Sequence, residues 1–331
     1  MRAIPVALLT LLLATPALSN DSTAELGAGG LVFVTTEAVR MKSEDLFLSM
    51  EEVRVRYEFQ NVSDKDVTLL VAFPMPDIKG SVDFLEVVPV EDTENFLGFS
   101  TTVDGTPVTA KVQQRVSALG IDQTAYLQDL GIPLAPQLEA TRRALDALPA
   151  EKWAELIQFG LAAPDEFDAG KGWEKHLAPQ WRLSTAYYWE QVFPAQRTVI
   201  VEHRYKPSVG TTAGVSFGSK EMRNDRWFQD YRRKYCMDDA FIKAAEKDAG
   251  NYDNPLMEHR LDYILTTGAN WAGSIEKFHL TVDKGSPKNL VSFCGEGVKK
   301  TGPTTFEMSA ENFYPEDDLH FLILARQGDA P

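Results

Sequence analysis

Gly214-Val215-Ser216-Phe217-Gly218 spells G-x-S-x-G, the pattern in which a serine is held on a sharp turn for nucleophilic attack on an acyl group. His259, His279 and His320 follow it in the order such hydrolases use, and any of them could supply the base. That chemistry needs a buried strand running into the serine and a helix directly after it, so that Oγ stands clear of the sheet. Neither flank is of that kind. Thr211-Thr212-Ala213 precede the serine, and the whole stretch from Ser208 to Ser219 is rich in Gly, Ser and Thr and reads as a loop. The motif is therefore read as a chance match, and no catalytic residue is assigned.

Other constellations fare no better. The chain has five histidines, and no two stand at the spacing of a zinc motif. His203 shares parity with Val199 and Val201, and His259 with Leu261 and Tyr263, which predicts buried imidazoles; His279 alternates against Phe278, Leu280 and Val282 and should be wet. Paired acids recur at Glu51-Glu52, Glu91-Asp92, Asp238-Asp239 and Glu316-Asp317-Asp318. Adjacent acids on a strand point to opposite faces, so they read as solvated surface rather than an acid and base pair. No metal ligand and no cofactor is assigned. Aromatic residues give the better hint of a binding surface: Trp181, Tyr187, Tyr188 and Trp189 lie close together, and rings of this kind, when exposed, make platforms for sugars or proteins. Core packing is the competing fate of each.

Where the protein works is more legible. Arg2, the apolar run Ala3 to Leu13 and the small-residue pattern Ala17-Leu18-Ser19 compose a secretory leader, with cleavage expected near Ser19 and a periplasmic or secreted product. The apolar run is well short of the ~20 residues a spanning helix needs, and no later segment is long and apolar enough. Export gives meaning to the two cysteines, because an isolated pair in an oxidising compartment forms a disulfide; Cys236 is expected to bond Cys294, worth about 4 kcal/mol by chain entropy. The net charge of −15 repels phosphate backbones and anionic lipid, which argues against nucleic acid as a partner.

The elements that would position any site read as strands. Val53, Val55, Tyr57 and Phe59 alternate with polar residues, a turn follows at Asn61 to Asp66, and Val67, Leu69, Val71 and Phe73 resume the pattern before Pro74, which predicts an antiparallel hairpin. Leu46, Leu48 and Met50 alternate on even numbers, so a bulge or tight corner is needed near Glu51-Glu52. Asp104-Gly105 marks a hairpin turn. From Ser117 the period becomes helical, with a helix from Asp122 to Leu130, another starting at Pro136 and a third around Trp153 and Leu156. The fold expected is mainly β with helical insertions, built as antiparallel β-sandwich units. Its parts are a leader at 1–19, a first sandwich portion at 20–116, a helical insertion at 117–180, strands returning at 181–210, and a C-terminal β domain at 211–331 with a helical segment at 221–250.

Ser43-Glu44-Asp45-Leu46, Val55-Arg56-Tyr57-Glu58-Phe59-Gln60-Asn61, Val71-Ala72-Phe73-Pro74-Met75-Pro76-Asp77, Tyr205-Lys206-Pro207-Ser208-Val209-Gly210 and Leu265-Thr266-Thr267-Gly268-Ala269-Asn270-Trp271 resemble an uncharacterised family of exported bacterial proteins with no assigned activity. The early strands together with Val103-Asp104-Gly105 are also similar to the β-sandwich module of vault and inter-α-trypsin proteins. The resemblance implies an exported protein and no chemistry. The expected function is a non-catalytic binding or structural protein of the cell envelope, with a protein or glycan as partner; the alternative is a secreted hydrolase using Ser216 or a pair of carboxylates.

Overall fold

Period-2 alternation produces strands along the chain in the computed structural model, which describes residues 20–326 apart from 28, 29, 82–84, 93, 169, 171, 213, 218–222, 249, 250 and 252. The expected leader, Met1–Ser19, lies outside the described residues. The first strands are β1 (Ser22–Gly27), β2 (Gly30–Val34), β3 (Val39–Leu48), β4 (Val53–Asn61), β5 (Val67–Pro74), β6 (Ile78–Lys79), β7 (Leu85–Val87), β8 (Ser100–Val103), β9 (Thr106–Val108), β10 (Lys111–Ala118) and β11 (Ile121–Asp122). Helices α1 (Thr124–Asp129), α2 (Glu139–Asp146) and α3 (Ala150–Gln158) follow. Then come β12 (Ala162–Asp168), β13 (Trp173–Pro179), β14 (Arg182–Phe193), β15 (Thr198–Tyr205) and β16 (Val209–Thr212). The remainder holds α4 (Arg226–Lys234), α5 (Asp239–Asp248), β17 (Leu256–Tyr263), β18 (Ile275–Asp283), β19 (Leu290–Phe293), β20 (Lys299–Lys300), β21 (Thr305–Phe313) and β22 (Leu319–Arg326).

The fold is mainly β with helical insertions. A seven-stranded sheet runs β11-β10-β14-β5-β1-β2, with β6 beside β14; an eight-stranded sheet runs β20-β21-β18-β3-β4-β15-β8-β9; a five-stranded sheet runs β19-β22-β17-β16-β7; and β12 and β13 form a separate hairpin. Among the described residues, pairings are antiparallel except that of β3 with β18, which is parallel and joins an early strand to a late one. The two largest sheets face each other. Phe59 of β4 meets Phe193 of β14 edge-on at 6.0 Å, and Phe73 of β5 lies 4.8 Å from the His203 ring of β15. Phe99 stacks on Tyr187 at 4.3 Å. Side chains from opposite inner faces thus fill one apolar layer, the arrangement of a β-sandwich.

This arrangement corrects the expected hairpin over 53–73. Strand β4 pairs with β3 and β15, whereas β5 pairs with β14 and β1, so the two belong to facing sheets and the chain between them is an arch. Alternation specifies which side of a strand is buried but not which strand lies beside it, and an arch buries the same residues as a hairpin. Asn61 holds the crossing: its Nδ2 donates to Lys65 O at 2.7 Å and Phe193 O at 2.8 Å, while its Oδ1 accepts from Ser63 N and Ser63 Oγ. The parity change near Glu51-Glu52 is met by a corner, where Ser49 N donates to Glu52 O. Leu46 then sits opposite Val55 and Leu48 opposite Val53, all four buried.

The expected helical stretch ends sooner than its pattern suggests. After α3 the chain returns as the β12 and β13 hairpin, which has a weak alternation because much of it is exposed. The charged helical segment is two helices. Cys236 adopts a left-handed φ of 49° beyond the end of α4, and Asp238 Oδ1 accepts from Phe241 N to start α5. These helices cover one face of the five-stranded sheet through Phe228, Phe241 and Ile242, against Leu256, Leu322 and Leu324. The other face turns Phe321 and Ile323 into the main core. That double cover explains why β22 is apolar almost throughout.

Candidate functional site

Ser216 follows β16 in a turn, with Gly214 at φ 126° two residues earlier. Its main-chain N and its Oγ both donate to Glu258 Oε1 at 2.6 Å. Glu258, on β17, is wholly buried; Tyr231 Oη of α4 donates to its second oxygen at 2.6 Å, and Arg260 Nη1 lies 3.4 Å from the same oxygen. Burial and the Glu258 carboxylate push the Tyr231 phenol well above its ordinary range. No imidazole reaches the serine in this network. His259 neighbours Glu258 on the strand and so points to the opposite face, where burial and Arg260 push its imidazole down. His279 is hydrogen-bonded to Asp45 and His320 to Asp262. Ser216 therefore ties the loop and α4 to the sheet through Glu258.

The four aromatic residues expected to form a binding surface do not form an exposed platform. Tyr187 and Trp189 are on the inward face of β14 and are buried, with Thr185 and Gln191 on the same side. Trp181 is fully buried and donates Nε1 to Leu134 O at 2.8 Å, docking the helical insertion onto the sheet. Tyr188, pointing the other way, is half-buried. Parity within β14 separates the rings, and the large area of each draws three of them inward. Among the described residues no cluster of three or more His, Cys, Asp or Glu is placed to hold a metal ion. Cys236 and Cys294 lie at disulfide distance, with Cα atoms 5.1 Å apart.

The outward face of the eight-stranded sheet is better furnished. Register aligns Thr281, Phe47, Arg54, Arg204 and Ser100 in one row across β18, β3, β4, β15 and β8, and His279, Asp45, Arg56, Glu202 and Thr102 in the next. These residues line a shallow cleft of about 610 Å³. Arg54 and Arg204 are direct cross-strand neighbours, a placement that like charges disfavour. One carboxylate reconciles them: Glu52 Oε2 is 3.0 Å from Arg54 Nε and Glu52 Oε1 is 3.2 Å from Arg204 Nε. The terminal Nη atoms of both arginines make no hydrogen bond among the described residues, and the Arg54 guanidinium lies over the Phe47 ring at 4.3 Å. A smaller cleft of about 490 Å³ lies on the seven-stranded sheet. Its arginines are already committed, Arg115 to Asp122 and Arg182 to Asp77.

Residues 19–322 match the family model of a domain of unknown function, DUF4424. The chain belongs to that family. No curated protein matches it. Among solved structures it is similar to a candidate nutrient binding protein of Legionella pneumophila subsp. pneumophila str. Philadelphia 1, at 16% identity and a TM-score of 0.45, over 92% of this chain and 70% of that one.

This DUF4424 chain also contains a polar cluster that its sequence did not reveal. Asn20, Asp21, Glu44 and His203 are all buried between the two large sheets, with Tyr57 Oη hydrogen-bonded to Asn20 Oδ1 and to Tyr263 Oη, and Trp271 Nε1 donating to Asp21 O. His203 Nε2 is 3.0 Å from Asp21 Oδ1. Two signals were available: the even parity of Glu44 with Leu46 and Leu48, which places a carboxylate on an otherwise apolar face, and the parity of His203 with Val199 and Val201.

Proposed function

We propose that this protein is an exported, non-catalytic binding protein whose ligand is an acidic saccharide of the cell envelope, held on the outward face of the eight-stranded sheet. The observation carrying this reading is that Arg54 and Arg204 are direct cross-strand neighbours, both paired through Nε with the Glu52 carboxylate, while their Nη atoms make no hydrogen bond among the described residues. Planar forks in that arrangement match a carboxylate or phosphate oxyanion, and guanidinium pairs of this kind gain geometric specificity as well as charge. The neighbouring Phe47 ring and the hydroxyls of Ser100, Thr102 and Thr281 offer stacking and hydrogen bonds to a sugar. Export is supported by the leader pattern at Met1–Ser19, by the cysteine pair at disulfide distance, and by the lack of any helix among the described residues long and apolar enough to cross a membrane.

The test is calorimetric titration of the mature protein with uronic acids, sugar phosphates and their neutral counterparts, repeated for Arg54→Gln with Arg204→Gln. Binding of an acidic sugar that weakens at least tenfold in the double variant and leaves the melting temperature within a few degrees is expected. Equal affinity for neutral and acidic sugars, or no change in the double variant, would overturn the site. For the hydrolase alternative, the readout is labelling of Ser216 by a fluorophosphonate; an unlabelled serine is expected, because its hydroxyl is committed to Glu258.

A further inference from the structure

Asn20 is the first described residue, and the position at which the expected leader would be removed, yet it is wholly buried. Its side chain is used completely. Nδ2 donates to Glu44 Oε2 at 2.9 Å, and to Leu265 O; Oδ1 accepts from Tyr57 Oη and Asp21 N; its carbonyl accepts from Thr267 Oγ1 at 2.6 Å. Gly268 leaves room for this side chain, since a Cβ there would stand 2.7 Å from Asn20 Nδ2. By contrast, the main-chain N of Asn20 makes no hydrogen bond among the described residues.

The charges around it do not balance. Asp21 and Glu44 bring two carboxyl groups into the core, and His203 can supply one positive charge. The other titratable groups facing them, Tyr57, Tyr263 and Tyr205, are phenols that burial keeps neutral. Asp21 Oδ2 has no hydrogen-bond partner among the described residues. A buried carboxylate lacking a cation is costly, and the carboxyl responds by holding its proton: burial pushes Glu44 up to about 8 and raises Asp21 as well. With both carboxyls ionised, the cluster lacks one positive charge.

We propose that the missing charge is the α-ammonium of Asn20, freed when the leader is hydrolysed, and that its docking beside Glu44 and Asp21 completes the core of the mature protein. The inference rests on the export reading given above. Hydrolysis of the Ser19–Asn20 peptide bond by a leader peptidase consumes one water; the carbonyl side leaves as the Ser19 carboxylate, and the Asn20 nitrogen becomes an ammonium with three N–H donors. An uncleaved precursor has an uncharged amide at this place and keeps the imbalance. Its folded state is weaker until processing, which suits a chain that must cross a membrane unfolded.

The test compares four chains, each released from a removable tag: one beginning at Asn20, one carrying a single extra alanine before it, and the Glu44→Gln form of each. At pH 7.5 the extra residue is expected to lower the melting temperature by at least 5 °C with Glu44 present, and by less than half as much in the Glu44→Gln background. In the extended chain stability should fall as pH rises toward 8, because the folded state holds the Glu44 proton more tightly than the unfolded state does. The chain beginning at Asn20 should lack that fall. Its α-amine should also resist acetylation while folded, a readout that decides the matter even if Glu44→Gln fails to fold. Equal cost of the extension in both backgrounds, or an amine acetylated as fast folded as unfolded, would overturn the docking. Mass analysis of protein recovered from the envelope tests the other reading separately: a first residue other than Asn20 would sink the expected cleavage position, whatever the four chains show.

Discussion

At the scale of single residues, burial decides what each polar group does. Ser216 and Glu258 illustrate this, because a serine in a suggestive motif becomes structural once its hydroxyl is given to an inaccessible carboxylate. Removing the serine hydroxyl leaves Glu258 with the Ser216 main-chain N and the Tyr231 hydroxyl as donors, so Ser216→Ala should cost about 1–2 kcal/mol. Glu258→Ala is a different loss. It strips partners from Ser216, Tyr231 and the half-buried Arg260 together, and removing one member of a buried charged pair costs about 3–5 kcal/mol. Denaturant melts of the two variants should therefore differ by at least ~2 kcal/mol. Equal destabilisation would mean that Glu258 does not organise this region. The five histidines follow the same rule. Odd parity on β15 buried His203, which then needed a partner and found Asp21; His279, on the wet side of β18, lies against Asp45 and Glu307 at the surface.

At the scale of elements, the crossing between β4 and β5 matters more than either strand. Each strand could be assigned from alternation alone, but the fold depends on the chain leaving the eight-stranded sheet at Asn61 and entering the seven-stranded sheet at Val67. Asn61 is wholly buried and uses both amide hydrogens and its carbonyl oxygen there, so neither water nor an apolar side chain can replace it. Asn61→Ala should destabilise the protein by about 3 kcal/mol, because the Phe193 carbonyl and the Ser63 N–H lose this partner and the Lys65 carbonyl keeps only the Ser63 hydroxyl. Asn61→Asp, which keeps the shape and the acceptor but loses both donors, should be no better. Chemical denaturation measures both. An Asn61→Ala protein within ~0.5 kcal/mol of the parent would show that the arch is held by packing alone.

At the scale of the whole molecule, the parallel pairing of β3 with β18 binds the first and last thirds of the chain into one sheet. Tyr263, Phe278, Leu280 and Phe321 share the main core with Val39, Leu46 and Tyr57. A chain truncated after residue 210 would expose the open edge of β3 together with the apolar surface those residues cover. It is expected to show no cooperative thermal transition by calorimetry, whereas residues 20–331 melt cooperatively; a cooperative melt of the shorter chain would argue that the early strands form a self-sufficient unit. Much of this architecture was legible in the sequence. Alternation at 53–59 and 198–205, the even-numbered pattern of Leu46 and Leu48, the Asp104-Gly105 turn, the helical period after Ser117 and the isolated cysteine pair are local signals, and each led to the element or pairing found, as did the family resemblance carried by the quoted segments. Choice of partner strand was not legible, since a strand has the same pattern whichever sheet it joins. The fate of Trp181, Tyr187 and Trp189 was not legible either, because an aromatic ring suits a core as well as a surface. Nor was the acid cluster of Asp21, Glu44 and His203, whose members are brought together from 182 residues apart only when the sheets close. Local chemistry determined which stretches become strands and helices and which side of each turns inward; only tertiary closure decided which polar groups were trapped inside, and therefore which charges the core still needs.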